Sequence, residues 1–239
     1  MKFDHTGDIR RQLLKEMKTG IFSEQDRLPR ETILAEHFGI SRNHLRDILA
    51  QLQREGFITR RHGMGTIINR QVVSVKNRMD IETEFMDIIR QNGYEPGVSR
   101  ISISEEPADA YIAEKLSISE DTELVRITRI CTADGKPAIY CEDVLEKRLI
   151  KHKFLLNDLK PSIFYFLQEF CEIDAYMDLT QIHAVLSDEI VSKALDIPVG
   201  TPLLNMEEVD YDIDGKPVFY SRQYFRDEVF EQTVLRKKM

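Results

Sequence analysis

The phrase "DGKPAIY" at residues 134–140 returns as "DGKPVFY" at 214–220, and this repeat constrains the fold more than any other feature of the chain. The repetition is longer than the turn. "LSISEDTELVRI" at 116–127 aligns with "LDIPVGTPLLNM" at 195–206 at an offset of 79, matching Leu116 with Leu195, Ile118 with Ile197 and Thr122 with Thr201. One inserted residue before the turn takes the offset to 80. Each unit reads as helix end, short loop, strand, Asp-Gly turn and returning strand. One hairpin alone is only marginally stable in water. The two are therefore expected to join one antiparallel sheet covered by helices on one face. On this reading the repeated residues shape turns and sheet core, with Asp-Gly making the reversal and the proline fixing entry to the returning strand.

The chain before the repeat has a different period. Ile9, Leu13, Leu14, Met17 and Ile21 recur at helical spacing, which predicts a helix near 8–19 ended by Gly20. After the connector "SEQDRLP", a second helix is expected near 31–38 with Ile33, Leu34 and Phe38 inward. Gly39 breaks it, and Ser41 caps a third helix from Arg42 to Arg54 whose Leu45, Ile48, Leu49 and Leu52 face the core. "EGFITRRHGMGTII" then reads as a two-stranded hairpin with a basic, glycine-rich tip. Three helices and a two-stranded wing over residues 1–68 make a winged helix-turn-helix. A polar segment at 69–78 is the expected linker, and residues 79–239 form the second domain. There a helix near 80–91 precedes the strands and helices that frame the repeat, and "DEVFEQTVLR" closes it as a strand. The fold class is α+β.

The net charge of −8 is divided unevenly. Residues 1–70 carry 13 Lys and Arg against 9 Asp and Glu, whereas the remaining 169 residues carry 20 against 32. A basic module can bind nucleic acid while an acidic one keeps the protein soluble. No run of eighteen apolar residues exists and the N-terminal segment has no apolar core, so neither a membrane span nor secretion is expected. Cys131, Cys141 and Cys171 form neither a CxxC pair nor an even set, which fits a reducing cytoplasm.

The chemistry of the first module lies at the start of its third helix. Arg42, Asn43, His44 and Arg46 occupy the first turn and outer face, where side chains reach base edges once such a helix enters the major groove. Ser41 serves as cap or phosphate ligand. In the wing, Arg60, Arg61 and His62 suit phosphates or the minor groove, and Gly63 and Gly65 let backbone come close. Arg30 stands at the start of the second helix, whose amides favour phosphate.

Residues 9–68 resemble the DNA-binding domain of GntR-type bacterial transcription regulators. The resemblance is carried by the "LP.E" start of the second helix, the "SR...R" start of the third, "L..EG" and the "G.GT" wing. Three positions depart from the family pattern: Arg30 replaces the usual Ser, Thr32 the usual Arg, and His44 the usual Thr. The resemblance therefore leaves Thr32 out of the expected DNA contacts. Residues 79–236 resemble the effector-binding domain of the HutC subfamily, the UTRA domain, with a chorismate-lyase-like fold; "NGYEP", "YIAEKL", "SIFYFL" and both hairpins carry this. The two resemblances imply a homodimer on a near-palindromic double-stranded operator, with DNA affinity set by a small-molecule effector. No cofactor and no metal are expected, since the residues offer no motif for either. Against the family's sugar-phosphate pattern, an Arg-x-Arg is reduced to Arg129 with Cys131, a Ser-x-Tyr becomes Ser162 with Phe164, a Glu becomes Phe219 and a Tyr becomes Phe225. Glu142 keeps the acid at the far end of the first hairpin. Arg129, Glu142, Ser162, Phe164, Tyr224 and Phe225 are the expected effector residues, with a cross-hairpin Arg129–Glu142 pair as the alternative for those two.

Two rival functions remain. A lyase-like enzyme is disfavoured because no nucleophile-and-base motif or HExxH occurs, and Cys171, His152 and His183 are far apart in sequence. An effector-independent structural DNA-binding protein is the other, though the second domain is larger than dimerisation requires. The favoured expectation is a repressor released by its effector.

Overall fold

Leu45, Ile48, Leu49 and Leu52 recur at three- and four-residue spacing on α3 (Arg42–Arg54), and all four are fully buried. The computed structural model, which describes residues 5–61 and 63–237, packs that stripe against α1 (His5–Lys18) and α2 (Glu31–His37). Leu13 and Met17 of α1 and Leu34 of α2 join that core, with Phe22, Leu28 and the wing residues Ile58 and Ile68. Two expected core residues lie outside it. Ile33 is exposed because Leu34, Ala35 and the following Phe38 already define the inner face of so short a helix. Ile21 is exposed because it falls in the turn beyond α1. The wing is the antiparallel pair β1 (Ile58–Arg61) and β2 (Gly65–Ile68), in register from Ile58↔Ile68 to Arg61↔Gly65. The connector is partly strand-like: Arg27 bridges to Ile67, and the Leu28 N–H donates to the Thr66 carbonyl at 2.9 Å. Then come α4 (Arg70–Val73) and β3 (Asn77–Arg78).

Thr83–Glu231 forms a second unit. Its elements are α5 (Phe85–Gln91), β4 (Pro96–Pro107), α6 (Ala110–Leu116), β5 (Glu123–Ala133), β6 (Lys136–Glu146), α7 (Ile163–Phe166), β7 (Met177–Leu186), α8 (Glu189–Leu195), β8 (Pro202–Tyr211) and β9 (Pro217–Phe225). The strands make one six-stranded antiparallel sheet in the order β4-β5-β6-β9-β8-β7. Helices cover both faces, not one. Val125, Ile127, Leu145 and Phe219 pack beneath α7, which continues as a π-helical turn through Cys171. Their sequence neighbours Leu124, Val144 and Tyr220 pack beneath α6, and Tyr140 with Leu203 beneath α8. Consecutive apolar residues in a strand point to opposite faces, so both faces require a cover.

The sequence repeat is a structural one, and it starts earlier than the matched letters. Each copy runs strand, helix, strand, strand: β4-α6-β5-β6 and β7-α8-β8-β9. Asp109 caps α6 by accepting the Ile112 N–H at 2.8 Å, and Asp188 caps α8 by accepting the Val191 N–H at 2.8 Å. Both helices end on a left-handed residue, Ser117 and Asp196. The Ala108 and Ser187 N–H groups donate to Thr122 and Thr201, each at 2.9 Å. The inserted residue enlarges the second turn. Asp134 and Gly135, both with positive φ, form a two-residue turn between Ala133 and Lys136. In the second copy Asp212 pairs with Lys216 around a longer turn with Gly215 left-handed. The copies join where β6 pairs with β9, and Glu142↔Arg222 is the pair that the repeat interchanges.

The segment at 69–78 is not a linker but part of the first unit, which extends to Glu82 and regains the chain from Gln232. Its polar residues cap helix ends, which is why composition alone read as solvated chain. The Arg70 guanidinium donates to the Met17 carbonyl at 2.7 Å and to the carbonyls of Phe22 and Gln25, just beyond α1. Arg78 donates to the Glu55 carbonyl at 2.6 Å, beyond α3, and stacks over Phe57. The expected closing strand shrinks to β10 (Gln232–Thr233), which pairs in parallel with β3 instead of joining the large sheet. Beyond it, Lys237 donates to the carbonyls of Gln53 and Arg54 at 2.9 and 2.5 Å. Both groups therefore place positive charge on the C-terminal end of α3. Ending the chain at Glu231 is expected to lower the melting temperature of the first unit by roughly 2–6 °C, the equivalent of about 1–2 kcal/mol. Differential scanning calorimetry of the truncated and full chains measures this.

Candidate nucleic-acid interface and effector site

The start of α3 is built as a cap with an exposed polar turn. Ser41 Oγ accepts the His44 N–H at 3.2 Å, while Arg42, Asn43 and Arg46 are exposed and His44 is half-buried. Glu31, in the first turn of α2, links this helix to the wing. Its Oε2 accepts Arg46 Nε at 2.7 Å and its Oε1 accepts Arg60 Nη2 at 2.5 Å. The hydrogen bond from Arg46 holds the Glu31 carboxyl below its ordinary value, with the charges of Arg60 and Arg42 adding to the effect. Beside this clamp lies a groove of about 830 Å³ lined by Arg30, Glu31, Thr32, Arg42, Arg60, Arg61, Gly63, Gly65 and Thr66 among others. Six of the expected DNA contacts thus share one concave surface: Arg30, Arg42, Arg60, Arg61, Gly63 and Gly65. Thr32, excluded on resemblance, lines it too. Gly63 and Gly65 have φ of +77° and +79° with open space where a Cβ would stand, which leaves wing backbone accessible. His62 lies outside the described residues. Glu31 was missed in the sequence because a helix-start acid reads as a dipole effect; only the arginines 15 and 29 residues later reveal its use.

Strand parity divides the expected effector residues. Arg129 stands directly opposite Cys141 on β6, and Glu142 opposite Thr128, so Glu142 faces away from Arg129. The anticipated Arg129–Glu142 pair does not form. Glu142 instead accepts Tyr140 Oη at 2.7 Å and lies 3.4 Å from Arg126, and Tyr224 stacks on Tyr140, all on the face covered by α6 and α8. The opposite face gathers Arg129, Asp143, Ser221, Gln223, Glu208, Phe219 and Phe225. Arg129 is buried and donates from Nε and Nη2 to Asp143 Oδ2 at 3.1 and 2.5 Å, and from Nη1 to the Pro161 carbonyl. Burial opposes its charge, but Asp143 prevails and raises the guanidinium pKa. Ser221 donates to Asp143 at 2.9 Å, Gln223 lies 3.2 Å from Ser221 and donates to Glu208, and Thr180 stands between Glu208 and Asp178.

A half-buried corner of this face is made by Ser162, Phe164, Glu84 and Phe85. Ser162 caps α7 by accepting the Tyr165 N–H at 3.1 Å and donates its own hydroxyl to Glu84. Phe85 covers the Arg129 guanidinium at 5.5 Å and meets Phe225 edge-on at 6.0 Å, which in turn meets Phe230 at 5.8 Å. Phe164 meets Phe219 at 6.2 Å. Glu84, Phe85 and Asp143 escaped the sequence reading; Asp143 sits one residue from the acid that was singled out, and one residue changes the face.

The N-terminal residues 6–68 match the model for bacterial regulatory proteins of the gntR family, and residues 91–231 match the UTRA domain. The chain belongs to the GntR family. It is a GntR regulator with a UTRA, HutC-type effector domain, and hence a metabolite-responsive DNA-binding transcriptional regulator. An uncharacterised HTH-type transcriptional regulator of Rhizobium meliloti is 25% identical over 214 residues, 87% of this chain and 85% of the relative. A probable fructoselysine utilization operon transcriptional repressor of Escherichia coli is 22% identical over 230 residues, covering 96% and 93%. Among solved structures, a possible transcriptional regulator, YydK, from Bacillus subtilis superposes with a TM-score of 0.73 at 20% identity over 95% of this chain and 100% of that one. PhnF from Mycobacterium smegmatis superposes with a TM-score of 0.60 at 20% identity, covering 98% and 99%.

The regulator's relatives are named for transcription, not catalysis. Cys171 is buried and its thiol is pushed up to about 11, far from a thiolate at neutral pH. Among the described residues no His, Cys, Asp or Glu group is arranged to hold a metal ion, and no helix is long and apolar enough to cross a membrane.

Glu208 supplies a pH-dependent test of the buried network. Burial, then the Asp178 charge, pushes its carboxyl from an ordinary 4.5 up to about 7. A raised carboxyl pKa means the folded state holds its proton longer than the unfolded state. The resulting penalty is absent at low pH, grows as pH rises between these values, and is complete above them. Glu208→Gln is expected to raise the melting temperature by about 2–4 °C at pH 8 and to leave it nearly unchanged at pH 4. Thermal melts at the two pH values measure the difference.

Proposed function

We propose that this GntR regulator is a homodimeric repressor on a near-palindromic operator, released when a small molecule binds the second unit. The observation that carries the reading is the Glu31 clamp, which gathers Arg46 of the recognition helix and Arg60 of the wing beside a groove lined by Arg30, Arg42 and Arg61. Arg42, Asn43, His44 and Arg46 read base edges from the start of α3. Arg60, Arg61 and the wing glycines approach phosphates, with Ser41 and Arg30 positioning the head. The repressor sign is supported by the Escherichia coli relative, itself named a repressor. Self-association is supported by β7, an edge strand that exposes Met177, Leu179, Ile182 and Leu186. The other edge, β4, is broken by a bulge and begins and ends in proline. Two heads on a two-fold dimer fit half-sites in successive turns of the groove.

The effector site in this reading comprises Arg129, Ser162, Phe164 and Phe225 with Asp143, Glu84 and Phe85. The aromatic trio Phe85–Phe225–Phe230 gives a physical route from that site to the head. The chain passes from the first unit to the second just before Phe85 and returns just after Phe230, so both crossings are rooted on Phe225. An effector that repacks Phe225 alters both tethers together and shifts the population able to bind DNA.

With an operator selected by the full chain from a random duplex pool, Arg46→Ala is expected to weaken specific binding about tenfold or more, corresponding to about 1–3 kcal/mol for a lost bidentate contact. Glu31→Ala is expected to lower the ratio of specific to non-specific affinity while leaving non-specific affinity equal or higher, because it frees two arginines but removes a negative charge. Fluorescence anisotropy at fixed salt measures both. Unchanged specific affinity in Arg46→Ala refutes the recognition role.

A further inference from the structure

The effector corner already holds an anion of its own. Ser162 and the Arg129 guanidinium form the part of this face suited to a negative ligand, and the Glu84 carboxylate is bonded to Ser162 within the field of Arg129. Arg129 gives three of its five N–H groups to other partners. Its Nε and Nη2 are bound to Asp143, its Nη1 to the Pro161 carbonyl, and Phe85 covers its face. The position two residues along β5, on the same face, is Cys131, buried and uncharged with its thiol pushed up to about 11 by burial. Around this guanidinium the face carries five carboxyl groups: Glu84, Asp143, Glu208, Asp210 and Asp178. The remaining polar groups, Ser221, Gln223 and Thr180, are engaged in the same network.

The charges select against a phosphorylated ligand. A phosphate entering beside Ser162 brings nearly two negative charges to a place where the Glu84 carboxylate is already partly buried and Arg129 is already paired with Asp143. Glu84 itself is held there at a cost: burial raises its pKa, and Ser162 and Arg129 only partly offset this. A ligand that presents N–H donors or an ammonium group relieves that cost by hydrogen-bonding the carboxylate. The aromatic walls Phe85, Phe164, Phe219 and Phe225 suit a ligand with an apolar or planar body.

We propose that Glu84 is a specificity-determining residue that fills the anion position of the effector site, so that this regulator responds to an unphosphorylated small molecule bearing N–H donors or an amine. This rests on the reading of the corner as the effector site. Glu84 is also the residue preceding α5, where it makes no side-chain cap. Glu84→Ser therefore empties the anion position while offering a capping hydroxyl, which favours folding.

The test compares thermal melts of full-length wild type, Glu84→Ser, and Glu84→Ser combined with Ser162→Ala, using inorganic phosphate as the probe at about 10 mM against sodium chloride of equal ionic strength. Wild type is expected to show no phosphate-specific shift, Glu84→Ser a gain of about 2–4 °C, and the double variant no gain. Equal stabilisation of wild type and Glu84→Ser overturns the proposal, because Glu84 then excludes nothing. No gain in any variant overturns it as well, because Ser162 and Arg129 then form no anion position. Operator binding by wild type is measured in parallel: its loss refutes the regulator reading, whereas the phosphate shift bears on Glu84 alone.

Discussion

The pairing of β6 with β9 is the contact on which the rest of the second unit depends. It joins two copies of a strand-helix-strand-strand unit at Glu142↔Arg222, and through strand alternation it decides which side chains share a face. Asp143, Ser221 and Gln223 fall on the face of Arg129, whereas Glu142 and Tyr224 fall on the other. A shift of one residue exchanges these sets. The buried Arg129–Asp143 pair resists such a shift, since separating the two leaves an uncompensated charge in the core. Register and ion pair are thus one constraint seen at two scales.

The first unit is held by a different device. Its helices are short, and cationic side chains from outside them satisfy the carbonyls at their ends: Arg70 after α1, and Arg78 with Lys237 after α3. These residues come from the segment entering the second unit and the segment returning from it. The same two segments begin and end on the Phe85–Phe225–Phe230 trio. The C-terminal end of α3 is thereby tied to both passages of the chain.

Much of the head was legible from sequence because its signals are local. Ser41, the four inward residues of α3 and the glycine-rich wing each follow from capping, a 3.6-residue period or a turn rule. The Glu31 clamp was not, since it depends on three elements meeting in space. The doubled Asp-Gly phrase correctly marked two hairpins, but the second reversal is longer than the tight Asp-Gly turn expected there. What sequence could not settle was parity: Glu142 and Asp143 are adjacent acids, and only the register against β5 shows which meets Arg129. Arg70 and Arg78 were misread for the opposite reason. Polar residues that bind backbone carbonyls look like linker in composition.

Hydrogen exchange on the full chain, with and without the selected operator duplex, tests the proposed linkage between the head and the proposed effector site most directly. Slower exchange is expected at the start of α3 and in the wing, accompanied by altered exchange in β3, β10 and the first turn of α5. Protection confined to the head, with those three segments unchanged, contradicts the coupling through Phe85, Phe225 and Phe230.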